Sequence, residues 1–267
     1  MHPLHALLLG AVEGLTEFLP ISSTGHLILV GHLLGLHGAA VNTFQIVIQA
    51  GALGAILVLY RVRLASCWRG LQGRDASGRR LLINLLVSFL PAAVAGFLLH
   101  RPITTYLFDA WPVIVALAAG GALMIGLGRR FEVRRPSKSL DMLTPADALL
   151  IGCAQVLALW PGTSRAMVTI VTGLLLGLSG QDAATYSFLL ALPTLGAATL
   201  FGAYSGGGLL LREISVASVL CGFGASAVVA VLAVRGFVRA LPRLGLVPFG
   251  WYRVGLAAVM WWVGAGR

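Results

Sequence analysis

The sequence predicts an all-α polytopic membrane protein, an inverted-topology repeat of about six spanning helices and two pairs of re-entrant half-helices. Three observations predict it. Of 267 residues, 58% are hydrophobic and 10% charged, with mean hydropathy +0.92, whereas a soluble domain carries about 25% charged residues. The basic residues gather in short stretches between apolar segments, the pattern of cytoplasmic loops. Segments 4–36 and 145–178 are each too long for one crossing of about 20 residues and too short for two, and each is interrupted at a proline, Pro20 and Pro161.

Taken in order, segment 4–36 breaks at Pro20, Ser22, Ser23, Thr24 and Gly25. Two half-helices meeting inside the membrane fit this best, because irregular backbone at that depth survives only where protein or water satisfies it. A span at 42–60 leads to a loop at 61–80, where six arginines face only Asp75. Spans at about 81–99 and 110–128 come next, joined by a short external link. The loop 129–141, with Arg129, Arg130, Arg134, Arg135 and Lys138, is cytoplasmic again. Segment 145–178 then repeats the broken pattern at Pro161-Gly162-Thr163-Ser164-Arg165. Spans at about 184–204, 215–234 and 248–265 complete the chain, with Arg235, Arg239 and Arg243 marking a third basic loop. The expected organisation is one integral membrane domain over 1–267, with repeat 1 at about 1–128 and repeat 2 at about 142–267. The two hairpin motifs align with a one-residue gap before the proline, matching Glu13 with Gln155, Ser23 with Ser164 and Thr24 with Arg165. Placing every basic loop on one side requires the two broken segments to enter from opposite faces. Two ordinary proline kinks are the plainer alternative.

The net charge of +10 does not indicate nucleic acid, since its carriers lie in these loops. Cys67, Cys153 and Cys221 have no metal-ligand spacing and read as packing residues. No removable signal peptide is expected.

Glu13 and Glu17 lie within an apolar segment, and ionisable residues there mark function by default. Four residues apart, they share a helix face. Two like charges in a low dielectric call for a proton or for a hard divalent cation, Mg²⁺ or Ca²⁺, between them; a neutral packed pair is the alternative. Ser22 and Ser23 suit the N-cap of the second half-helix, whose free amides form an anion site; Thr163 and Ser164 do the same after Pro161. Arg165 reads as the only arginine in the middle of an apolar segment, with a planar fork suited to phosphate or carboxylate, or simply neutralising a glutamate. His26, three residues after Ser23, is a candidate base for a serine nucleophile. The other histidines read as inert.

The stretches EGLTEFLPISSTGH at 13–26 and LALWPGTSR at 157–165, with FQIVIQAGALGAILVLY at 44–60 and YSFLLALPTLGA at 186–197, resemble the undecaprenyl-diphosphate phosphatase family, the bacitracin-resistance proteins BacA or UppP. The resemblance runs the full length. The second motif departs from the family's usual SRSG, with Ala166-Met167 after Ser164-Arg165. The resemblance implies a bacterial inner-membrane enzyme that removes the terminal phosphate of the C55 isoprenoid diphosphate, giving the carrier lipid for peptidoglycan synthesis. It also implies a divalent cation, re-entrant helices and an active site open to the periplasm. The expected catalytic residues are Ser23, His26, Glu17 and Arg165. Ser22, Thr24, Gly25, Thr163, Ser164 and Arg165 would bind phosphate, and Glu13 and Glu17 the metal. Expected partners are the isoprenoid diphosphate, the bilayer and a second copy as a homodimer, with no nucleic acid. A transporter or flippase of an anionic lipid on the same scaffold is the alternative. A histidine-nucleophile membrane phosphatase fits poorly, since no histidine follows His100.

Overall fold

A computed structural model describes residues 1–107, 109–133 and 136–264, without the side chains of 104, 130, 132 and 133. Among the described residues the elements are twelve α-helices and two short 3₁₀ turns. The first hairpin is α1 (Pro3–Thr16) and α2 (Ser23–Leu33). Then come α3 (Ala39–Leu59), α4 (Arg61–Leu71), α5 (Ala76–Leu98), α6 (His100–Tyr106) and α7 (Ala110–Val133). The second hairpin is α8 (Pro145–Gln155) and α9 (Arg165–Leu175). The chain continues in α10 (Gly180–Glu213), α11 (Val216–Leu244) and α12 (Val247–Trp262).

Five of these helices are long and apolar enough to cross a membrane: α3, α5, α7, α10 and α11. At 1.5 Å per residue, the 34 residues of α10 make a rod of about 51 Å, well beyond a hydrocarbon core of about 30 Å. The expected sixth span, 248–265, is the 16-residue α12, about 24 Å long and so not among the five; its expected end at 265 lies outside the described residues. The half-helices α1, α2, α8 and α9, at 11 to 14 residues, are too short to cross. The chain is therefore an all-α multi-pass membrane protein.

Two expectations change. The loop 61–80 is mostly helix: α4 carries Arg61, Arg63 and Arg69, buries Cys67 and Gly70, and folds against the start of α5. An 11-residue amphipathic helix reads as loop because its apolar face is only a few residues wide. Asp75 closes this corner, capping α5 through Gly78 N at 3.0 Å and accepting from Ser66 Oγ at 2.7 Å. In the basic stretch 129–141, Arg134 and Arg135 lie outside the described residues. The end of that stretch is pinned to the second hairpin: Ser137 and Lys138 both donate their amides to Gly177 O, and Lys138 Nζ reaches Asp147 Oδ2 at 2.9 Å.

The register between the hairpins also changes. They correspond without a gap. Pro3 and Pro145 each open a first half-helix, and α2 and α9 each have 11 residues. Ser22 and Ser164 cap the second half-helices at φ 70° and 71°. Gly35 and Gly177 leave them with positive φ. Every pair is separated by the same interval. The proline is not the shared landmark; the left-handed cap is. Ser23 therefore corresponds to Arg165, and Glu13 to Gln155.

The hairpins also exchange partners. α1 packs along α11 and α8 along α5, while α3 and α10 pair at the centre and α7 with α12. At Gly10 and its counterpart Gly152 the backbones approach so closely that a Cβ would strike the carbonyl of Gly222 or Ser88. Small residues permit this approach between helices in lipid. Phe188, buried on α10, gathers Phe18, Tyr60 and Phe237 around its ring and so ties the first hairpin to α10 and α11.

Candidate active site

Both hairpin breaks use the same local device. A serine enters the second half-helix in a left-handed conformation, which costs a non-glycine residue on the order of 1–3 kcal/mol. Its hydroxyl then caps the turn: Ser22 Oγ accepts Gly25 N at 3.4 Å, and Ser164 Oγ accepts Met167 N at 3.2 Å. The Gly25 amide is thus committed to the cap, and the Thr163 amide is committed too, donating to Trp160 O. First-turn amides have no intrahelical acceptor, so Ser23 N and Thr24 N, and Arg165 N and Ala166 N, remain for an anion.

The cap places Ser23 and Arg165 each as the first residue of its half-helix, and Glu17 joins them. Ser23 Oγ donates to Glu17 Oε2 at 2.5 Å, and Arg165 Nη2 donates to Glu17 Oε1 at 3.1 Å. All three are at most 8% exposed. A charge-assisted O–H···O⁻ bond of this length is among the stronger hydrogen bonds in proteins. Arg165 is fixed further by Nη1, which donates to Ser187 O at 2.9 Å and Ser187 Oγ at 3.2 Å, and by the ring of Phe18, 5.6 Å from its Cζ. Thr169 Oγ, one turn on, reaches Ser187 Oγ at 2.7 Å. The Nε of Arg165 is buried without a hydrogen-bond partner, a free donor beside the serine's acid.

Glu13 lies one turn before Glu17 and is fully buried. Neither of its carboxyl oxygens meets a donor in hydrogen-bond geometry, although the carboxyl lies close enough to Glu17 for the two to share a proton, and it feels the charge of Arg165. Two carboxylates cannot satisfy each other without a shared proton or a cation. The orphaned oxygens of Glu13 fit a divalent ion with Glu17 as second ligand. Among the described residues no group of three or more His, Cys, Asp or Glu forms a metal cluster. The protein thus offers two carboxylates, and water or phosphate oxygens would complete the shell, as is usual for Mg²⁺.

His26 faces elsewhere. Its Nδ1 lies 2.7 Å from Ser22 O, and its Nε2 lies 2.8 Å from Tyr252 Oη, with the two rings stacked at 10°. Neither contact is to Ser23. In this arrangement the acid next to the serine hydroxyl is Glu17.

Arg165 is not alone in mid-segment, contrary to the sequence expectation. Arg253, on α12, is fully buried. Its Nη1 reaches Thr163 O at 3.0 Å and Pro20 O at 3.4 Å; Nη2 reaches Gly162 O at 2.9 Å and Ala116 O at 3.0 Å; Nε reaches Leu117 O at 3.3 Å. One guanidinium therefore ties both hairpin breaks to α7. In the sequence it stands five residues after Pro248, where an arginine reads as a flank that snorkels to the interface. A cation so close behind a proline and a glycine, Pro248 and Gly250, was the available signal. Ser187 and Thr169 had none, being ordinary hydroxyls in long apolar helices.

A buried acid–hydroxyl pair facing a guanidinium, inside a multi-pass bundle, is the arrangement that a membrane enzyme of phosphoryl chemistry needs. The chain belongs to the family described as bacitracin resistance protein BacA, which matches residues 6–259. Similar proteins bear the name undecaprenyl-diphosphatase. One from Sorangium cellulosum is 49% identical over 97% of this chain and 85% of its own length. Others from Nitrosomonas europaea and Methylococcus capsulatus are 45% and 44% identical, each over 96% of this chain and 93% of their own.

Proposed function

We propose that this chain hydrolyses undecaprenyl diphosphate to undecaprenyl phosphate and inorganic phosphate, with Ser23 as nucleophile and Glu17 as its base. The observation that carries the reading is the 2.5 Å contact of Ser23 Oγ with Glu17 Oε2, the other oxygen of that carboxylate being held by Arg165. Attack by Ser23 Oγ on the terminal phosphorus passes the hydroxyl proton to Glu17. The bond from that phosphorus to the bridging oxygen breaks, and the lipid monophosphate leaves. Water then hydrolyses the phosphoserine, and the serine recovers its proton. Phosphoryl transfer asks a protein mainly for position and for neutralisation of equatorial oxygens. The free Nε edge of Arg165 and the first-turn amides at residues 23–24 and 165–166 supply that. Glu13 and Glu17 would hold Mg²⁺ or Ca²⁺, which when bound neutralises diphosphate charge.

The apolar exterior holds the isoprenoid tail in lipid while the headgroup enters between the hairpins. With the basic stretches read as cytoplasmic, the site lies near the midplane of the inner membrane and opens to the periplasm, with the repeats inverted. A transporter would need no acid on a serine hydroxyl, so the alternative loses its support at Glu17. The test is phosphate release from undecaprenyl diphosphate by pure protein in detergent. Ser23→Ala should abolish it, and acid quenching of the wild type should trap phosphoserine at Ser23. Substantial turnover by Ser23→Ala would exclude the serine route and leave attack by water.

A further inference from the structure

Tyr252 and its histidine belong to no step above, yet they bridge the two ends of the chain at the nucleophile's own turn. Only a donor can face the Ser22 carbonyl, so His26 Nδ1 carries a hydrogen, assigned from its partner. In the neutral ring Nε2 is then an acceptor, and the tyrosine hydroxyl 2.8 Å away donates to it. The second hairpin shows what this replaces. There the carbonyl of Ser164 accepts the backbone amide of Val168 at 3.1 Å. Val168 is the counterpart of His26. In the first hairpin the carbonyl of the left-handed serine is instead met by an imidazole, at 2.7 Å, and the imidazole is held by a residue from the far end of the sequence.

We infer that Tyr252 is a positioning residue for the reaction: through His26 it fixes the carbonyl of Ser22, and with it the strained turn that sets the Ser23 hydroxyl on Glu17. The parallel rings, 5.6 Å apart, restrict imidazole rotation, and the phenol O–H selects its tautomer. Tyr252 is next to Arg253, so the same turn of α12 that clamps both breaks also orients the first residue of α2. Half-exposed at 49%, the phenol spends its hydroxyl on His26, while Ser23 and Arg165 bond to Glu17 and Ser187. Its effect therefore falls on the chemical step rather than on phosphate capture. The inference rests on Ser23 being the nucleophile.

Tyr252→Phe removes one oxygen and keeps the stack. Loss of one hydrogen bond of about 1 kcal/mol corresponds to about a fivefold fall in kcat, with KM unchanged. His26→Asn should lower kcat further. The double variant should be no slower than His26→Asn alone, because tyrosine and histidine act as one unit. A thermal midpoint in detergent close to wild type for Tyr252→Phe separates positioning from folding. Wild-type kcat in Tyr252→Phe, a rise in KM with kcat unchanged, or effects of the two substitutions that multiply would each overturn the inference. Ser23→Ala decides the nucleophile separately, so failure of one reading is not mistaken for failure of the other.

Discussion

Arg165 Nη2 sits 3.1 Å from Glu17 Oε1 although the two residues are 148 positions apart in the chain. That contact is where the second hairpin meets the first, and it makes Glu17 a hinge between nucleophile and guanidinium. Arg165→Lys keeps the charge but not the fork, and one ammonium cannot serve both Glu17 and Ser187 while leaving an edge for phosphate. Phosphate release should fall more than tenfold, over about 1.4 kcal/mol of barrier. Wild-type rates would make the arginine a structural counter-ion only.

Glu17→Gln should cost about 10²–10⁴ in kcat, the range for loss of a general base. The amide oxygen still accepts from serine or arginine but takes up no proton. The comparison is initial rates at saturating lipid, with a melting curve to show the fold intact.

Glu13→Gln gives a different signature. Its oxygens have no donor in the fold, so an uncharged amide should weaken the response to added Mg²⁺ or Ca²⁺ while Ser23 and Glu17 stay joined. Titration of activity against metal should show a half-saturating concentration raised at least tenfold, about 1.4 kcal/mol of lost ion binding. An unchanged metal curve would remove Glu13 from the ligand set.

Arg253→Met should unfold the centre rather than tune it. Each stranded buried acceptor costs about 1–3 kcal/mol, and the carbonyls of Pro20, Gly162 and Thr163 at the two breaks lose their donor together, whereas those of Ala116 and Leu117 keep their helical partners within α7. A fall of several degrees in the detergent melting midpoint, with activity lost in parallel, is the expected result. Arg253→Lys should recover part of it, since three donors replace five.

At the corner between α4 and α5, Asp75 accepts from Gly78 N, then Ser66 and Ser77, with Arg69 nearby, and these bonds hold its carboxyl well below the usual carboxylate range. A lowered native value means the stabilisation is complete above the unfolded value of about 3.9 and is lost as pH falls below it. Melting midpoints from pH 7 down to pH 3 should therefore fall more steeply in the wild type than in Asp75→Asn, which starts lower at pH 7.

The helical membrane class, five of the six expected spans and the broken hairpins were legible because length and hydropathy follow directly from the bilayer; the sixth, at α12, is too short to count among them. Glu17, Ser23 and Arg165 were legible as a group because polar residues in apolar runs are costly. The register between hairpins was not: prolines catch the eye, whereas the shared landmark is a left-handed serine, a backbone property that no side chain advertises. α4 was missed because six arginines across 61–80 masked a narrow apolar face at Leu64, Cys67 and Gly70. The partners of Arg253 are all carbonyls, which every residue carries, so composition could not point to them. His26 stands near Ser23 in sequence, yet its ring is turned by α12 from the other end of the chain.

Because Ser23 and Arg165 occupy matching places in two corresponding hairpins, the site has a head and a tail. Acids and hydroxyl come from one hairpin, the cation from the other, and Gln155 stands uncharged where Glu13 has its counterpart. Under the proposed function, a diphosphate entering between them would be read in one direction only, its terminal and lipid-bearing phosphates told apart by where each lies, not by what each is. A pair of matching hairpins would in this way serve a one-way reaction.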